Sequence, residues 1–401
     1  MRIGVIADNE LNNDKRVLRE IDILKKTGNE VFALCFGYRN EASENIDGID
    51  ITRIRIKRSI KNILFFLLNT FPAYEWLWAC RIKRLISGKD LAVLHVHDLY
   101  MSRAARSGIN RSGRKIPMIL DLHENYPFTV TTYNWTKGVF RSFFSKPLRW
   151  REKEHEYLGY ADRIIVLSDD FRELLVQRYP EIGPDKYTTL PNVPDLDGIV
   201  RKDPVKPAVN FEKGVVVVFY FGIVAERRGI FDALDVFREL AIEGHRSVFL
   251  IIGPVDKKDR ARFYAVTGSE PLSSRVAYVP WIDLSELPAY LDMSDICIAP
   301  FHKNPQHESG VANKIFDYML GKKPLIASDC RPQKELIEKY DCGIVYSDRD
   351  GMKQAIIRLS ADPELRMRMG MNGYKAVLNE YNTGVIKHRL LDLYTSIQGI
   401  G

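Results

Sequence analysis

The sequence predicts an α/β protein made of two doubly wound parallel-sheet domains. Three observations carry this expectation. The chain has 401 residues, which suits two domains of ordinary size better than one. Short, fully apolar runs alternate with stretches of helical period in two successive halves, and such runs mark parallel strands covered on both faces. In each half the strands run into polar residues, at the C-terminal sheet edge where ligands bind in this architecture. Hydrophobic content of 45% and charged content of 28% exclude a disordered or fibrous chain.

Residues 2–7 form a first apolar strand, followed by a polar, Asn-rich loop over 8–15 that contains Asn9. Helical period over 17–24 ends at Gly28, and 30–36 is a second strand. This order predicts a right-handed parallel βαβ unit. The loop lacks G-x-G-x-x-G and so carries no dinucleotide fingerprint. Residues 49–56 read as strand, and 60–85 as a long apolar, basic helical region with a break at Pro72. Strands 91–97 and 116–122 end in HVHD and DLHENYP. They deliver His97 and Asp98, then Asp121, His123 and Glu124, to one sheet edge. A charged helix over 141–159, strands over 162–168 and 187–192, and a Pro/Lys/Asp-rich linker over 193–214 close the first half.

The second half begins with an apolar strand at 215–221 that runs into FGIVAERRGI. Further strands are expected at 248–253, 276–280, 296–300 and 343–346, with closing helices at 362–379 and 383–398. Between them, VANKIFDYMLGKKPLIASD (311–329) reads as helix, tight turn and buried strand. Val311, Ile315, Tyr318 and Met319 make one apolar face, and Gly321 stops the helix with Lys322 and Lys323 at its negative end. The polar loop over 307–310 leads into the helix N-terminus, whose free amides suit a phosphate. Lys314 adds a full positive charge there, and Asp317 lies within reach of a ribose.

The N-terminal MRIGVIADNE does not read as a signal peptide. The longest apolar stretch, 63–68, is far short of the roughly 20 residues that span a bilayer. Five scattered cysteines with no C-x-x-C spacing point to a reducing, cytoplasmic setting and no zinc site. The net charge of +7 is concentrated. Residues 51–74 contain no acid but carry Arg53, Arg55, Lys57, Arg58 and Lys61, and 125–151 are likewise acid-free. Both stretches are rich in aromatics, a composition that suits an interfacial helix on anionic lipid or a solvated face over a large core. The membrane reading places the contact at 53–78, with no nucleic acid as partner.

NKIFDYMLGKKPLIASD resembles the nucleotide-sugar segment of retaining glycosyltransferases of family 4 (glycosyl transferases group 1). So do DKRVLREIDILKKTGNEVFAL, HVHD, DLHE, ADRIIVLS, LPNVPD, FGIVAERRGI and SDICIAP, in the family's order over about residues 1–395. The chain departs from the pattern at Asp317, usually Glu, at Ser309, often Glu with Glu308 one place out, and at Ile223, often Arg. The resemblance implies two Rossmann-like domains facing a cleft (GT-B). Residues 1–195 would form the acceptor-side domain, with a C-terminal helix at 383–401 packing back on it, and 196–382 the nucleotide-sugar domain. It implies a retaining, metal-independent transfer of a sugar from a UDP- or GDP-sugar to a glycan or lipid-linked acceptor, with no cofactor. His123, Arg228 and Lys314 would be catalytic. Donor contacts would come from Gly222, Arg228, Glu308, Ser309, Val311, Ala312, Asn313, Lys314 and Asp317, with the contact of the arginine absent at Ile223 either missing or supplied by Arg227. Acceptor-side contacts would come from Asn9, His97, Asp98, Asp121 and Glu124. A GT-B-like binding protein without catalysis, and a nucleotide-sugar epimerase, remain open on the same residues.

Overall fold

The computed structural model describes residues 1–12, 14–38, 44–46, 48–194, 196 and 207–397. Half of the expected linker and the predicted end of the last helix at Gln398 lie outside these residues. The chain divides into two compact units, Met1–Pro191 with Ile386–Gly401, and Asn192–Val385.

The first unit is built on eight strands: β1 (Arg2–Ile6), β2 (Glu30–Gly37), β3 (Glu44–Ile46), β4 (Ile49–Arg55), β5 (Val93–His97), β6 (Met118–Asp121), β7 (Arg163–Val166) and β8 (Tyr187–Thr189). Their order is β3-β4-β2-β1-β5-β6-β7-β8. All pair in parallel except the edge pair β3–β4. Chain order therefore reverses direction between β1 and β5, the kind of switch point at which a crevice opens. Strand interiors such as Ile3, Val5 and Ile6 are buried on both faces, as apolar runs of this kind require. The helix Lys15–Lys26 starts where the Asp14 side chain accepts from the Val17 amide. From the far end of the chain, helix Thr383–Ile397 returns Tyr394 to this unit, its hydroxyl 2.9 Å from His95 Nδ1.

The second unit has six parallel strands: β9 (Val216–Phe221), β10 (Ser247–Ile252), β11 (Val276–Val279), β12 (Ile296–Ala299), β13 (Leu325–Ser328) and β14 (Gly343–Tyr346). Their order is β11-β10-β9-β12-β13-β14, so the switch falls between β9 and β12. Its core has apolar clusters on both sides of the sheet.

The break expected at Pro72 is present, the region 60–85 being two helices, Arg58–Phe66 and Ala73–Lys89, with Pro72 capping the second. Several expectations require correction. The helix expected over 141–159 is two, Val139–Ser145 and Arg149–Gly159, because Pro147 falls between them. The helix expected from Val311 begins at Asn313. The basic stretch 53–78 is not one solvent-facing surface. Arg53 is buried and paired with Glu44, Lys61 pairs with Asp8 at 3.4 Å, and Tyr74 and Trp78 are core. Among the described residues, no helix is long and apolar enough to cross a membrane.

Candidate active site

At the β1/β5 switch, the strand ends bring together a buried charge network. Asp121, at the end of β6, is fully buried, and Arg16 grips it with two hydrogen bonds, Nη2 to Oδ1 at 2.8 Å and Nε to Oδ2 at 2.9 Å. His97 Nδ1 and His123 Nε2 each lie 3.4 Å from Asp121 Oδ2 and 3.0 Å from one another. Asp98 follows β5 at φ 73° and ψ 136°. Such backbone costs a non-glycine residue about 1–3 kcal/mol and tends to occur at functional sites. Burial opposes charge on His123, but the Asp121 and Asp98 carboxylates outweigh it and raise the imidazole pKa to about 9. His123 is therefore a cation at neutral pH and an effective donor to an oxygen.

His123 opens onto a concave pocket of about 360 Å³ that also exposes Asp8, Lys61, Asp98, Glu124 and Tyr133. Burial, reinforced by Asp98, lifts Glu124 to about 7, while the Tyr133 hydroxyl donates to both its oxygens at 2.9 Å. Burial likewise lifts Asp8 to about 6 against the pull of Lys61. Two carboxyls that titrate near neutrality beside an imidazolium can accept from or donate to sugar hydroxyls.

In the second unit, the end of β9 faces the loop after β12. Gly222 has φ 130°, and a Cβ there would lie 2.9 Å from Lys314 Nζ. Gly229 has no room for a side chain, since a Cβ would stand 1.5 Å from the Pro300 carbonyl oxygen. Helix Asn313–Leu320 is fixed to the strand end because the Phe221 amide donates to the buried Tyr318 hydroxyl at 2.8 Å. Lys314 Nζ lies 3.7 Å from the Tyr220 ring centroid and 5.1 Å from that of Phe301. Arg228 stacks over Phe301 at 5.3 Å, with Nη1 3.3 Å from His307 Nε2. Among the described residues neither Arg228 nor Lys314 has a carboxylate partner. Burial, with Arg228 adding to it, pulls Lys314 well below the ordinary lysine pKa. An anion bound here would relieve this penalty, because opposite charge favours the charged form.

The remaining expected residues take different places. Asn9 Nδ2 donates to Asp14 and its Oδ1 accepts from the Leu11 amide, so its side chain folds the loop after β1. His97 and Asp121 are buried behind His123 and act on it. Glu308 Oε1 accepts from the Arg331 amide at the next helix start, and the buried Ser309 hydroxyl donates to the Pro305 carbonyl. Both side chains hold the loop rather than face the niche. Val311, Ala312 and Asn313 lead into and begin the helix, with Asp317 one turn on. Arg227 is paired with Asp256 at 3.0 Å.

Sequence reading missed Asp8, Lys61 and Tyr133 in the first unit, and Tyr220, Phe301 and His307 in the second. The strand-end rule used for β5 and β6 would have found Asp8 after β1. No sequence signal marks the two rings under Lys314. A metal-like group also occurs: Glu20, His95, His97 and Asp121 bring ligand atoms within 4.8 Å of one another. Arg16 already provides the balancing cation there, lying on both Asp121 oxygens and 3.3 Å from Glu20 Oε1.

Comparison with known proteins gives two family matches, end to end. Glycosyltransferase Family 4 matches residues 15–197, and Glycosyl transferases group 1 matches residues 202–376. The chain is 22% identical over 346 residues to an alpha-D-kanosaminyltransferase of Streptomyces kanamyceticus, covering 83% of this chain and 84% of that protein. In structure it is similar to sucrose-phosphate synthase of Thermosynechococcus elongatus, with TM-score 0.74, 18% identity and all of both chains covered. It is also similar to Anabaena HepE in complex with UDP, with TM-score 0.68, 13% identity, and 99% of this chain and 100% of that one covered. At these identities the structural likeness speaks for the GT-B fold alone.

Proposed function

The chain belongs to the family 4 and group 1 glycosyltransferases, and from that premise we propose a retaining, metal-independent transfer from a nucleotide-diphosphate sugar to a glycan or lipid-linked acceptor. The observation that carries this reading is the pair of cations, Arg228 and Lys314, that among the described residues have no carboxylate partner and lie beside the start of helix Asn313–Leu320. Charge develops on the leaving diphosphate as the glycosidic bond breaks, and fixed positive groups there stabilise the transition state. The amides at 311–313 add a partial positive charge, and Asp317 accepts from the ribose hydroxyls.

In the first unit His123 donates to the donor sugar, and the pocket of Asp8, Asp98 and Glu124 receives the acceptor hydroxyls. In the proposed displacement, the acceptor oxygen bonds to the anomeric carbon on the face the diphosphate leaves. The acceptor proton passes to a diphosphate oxygen as the sugar–phosphate bond breaks. This requires no protein nucleophile and preserves configuration.

Without acceptor, water can take the place of the acceptor hydroxyl. Incubation with UDP- and GDP-sugars, with a chelator present, should therefore release nucleoside diphosphate slowly from one series. The freshly formed sugar should keep its anomeric configuration by proton NMR. Inverted product, or release only on adding a divalent cation, would contradict the corresponding part of the proposal.

A further inference from the structure

The helix Val139–Ser145 turns its apolar side chains outward. Val139 is 93% exposed, Phe140 73% and Phe143 69%, and Leu148 beyond it is also exposed. A cluster of this kind at a surface marks an interaction site. The helix is nonetheless anchored. Asn69 Nδ2 donates to the carbonyls of Ser145 at 3.0 Å and Lys146 at 3.2 Å, the Thr70 hydroxyl donates to Phe144 O at 2.6 Å, and Arg149 Nη1 donates to Asn69 O at 3.2 Å. These bonds seat it beside exposed Phe71 and the preceding helix Arg58–Phe66, which exposes Ile60 and Ile63. That same helix carries Lys61 and Phe65 into the pocket beside His123. Outward apolar surface and pocket thus share one piece of structure.

Charge selects the occupant. No acid occurs from Asn125 to Arg151, while Lys137, Arg141, Arg149 and Arg151 are exposed along it. A second copy would set like charge against like charge. An anionic bilayer matches both features, because apolar side chains enter the acyl boundary while the cations meet the headgroups.

We propose that Val139, Phe140, Phe143 and Leu148, with their surrounding cations, dock the first unit on an anionic lipid surface and bring the His123 pocket to a lipid-linked acceptor. The second half of this statement rests on the pocket being the acceptor site. The docking itself does not.

The test is sedimentation with vesicles of phosphatidylcholine alone and of phosphatidylcholine and phosphatidylglycerol in equal parts. Wild type should pellet with the second, less so as salt rises. Phe140→Ser with Phe143→Ser should lower partitioning at least about ten-fold. Lys137→Gln, Arg141→Gln and Arg151→Gln together should remove the salt dependence. Circular dichroism and nucleotide titration keep loss of fold, and failure of the donor reading, separate from loss of docking. The proposal is overturned if wild type ignores anionic vesicles at low salt, or if the double Phe variant pellets like wild type. It is also overturned if those phenylalanines instead drive a concentration-dependent dimer by sedimentation velocity.

Discussion

His123 keeps its proton at neutral pH because Asp121, held rigid by Arg16, sits 3.4 Å from Nε2. It touches the pocket but lies in a different unit from Arg228 and Lys314. His123→Ala should therefore lower turnover by about 10²-fold, the scale for loss of one positioned donor, and leave nucleotide affinity nearly unchanged. Steady-state kinetics beside a binding titration would check this; a collapse of affinity with turnover intact at saturation would refute the role. Asp8 gives a pH prediction. Its pKa rises from 3.8 to about 6 on burial, so the native state holds this proton more tightly than the unfolded chain. That contribution is fully present below about pH 4 and is lost as pH rises through about 6, amounting to about 3 kcal/mol. Asp8→Asn should flatten the fall in urea midpoint between these pH values. Four of the five tryptophans, Trp76, Trp78, Trp135 and Trp150, lie in the first unit, so their fluorescence is the readout; an unchanged slope would contradict the assignment.

At the scale of the element, helix Asn313–Leu320 is only as useful as its placement. The buried hydrogen bond from the Phe221 amide to the Tyr318 hydroxyl fixes it to the end of β9. Tyr318→Phe keeps the ring and strands a buried N–H, which should destabilise the second unit by about 1–3 kcal/mol. Nucleotide affinity should fall with it, although Tyr318 is fully buried. Chemical denaturation and titration on the same variant would test the pair of effects; a stable variant with weakened binding would mean that Tyr318 acts on the ligand directly. The strands were legible because their apolar runs are short and continuous, and the helix of 313–320 because its period and stop glycine agree. The break at Pro72 was legible from the proline itself, whereas the one at Pro147 was hidden because charged, helix-compatible residues run on both sides of it. Arg53 was misplaced because its partner, Glu44, is on β3, a three-residue edge strand with no sequence pattern of its own. Lys314 was read as a plain cation, since nothing local shows that Tyr220 and Phe301 would enclose it.

Across the whole molecule, each unit places its polar residues at the point where strand order reverses, β1/β5 in one and β9/β12 in the other. In the proposed function the diphosphate binds the second unit alone, through Arg228 and Lys314. Calorimetric titration with UDP and GDP tests this most directly. One nucleotide should bind wild type and His123→Ala alike. Arg228→Gln and Lys314→Gln should each weaken binding by about 1–3 kcal/mol. If neither nucleotide binds, or if affinity is the same in both variants as in wild type, the niche does not hold the donor diphosphate.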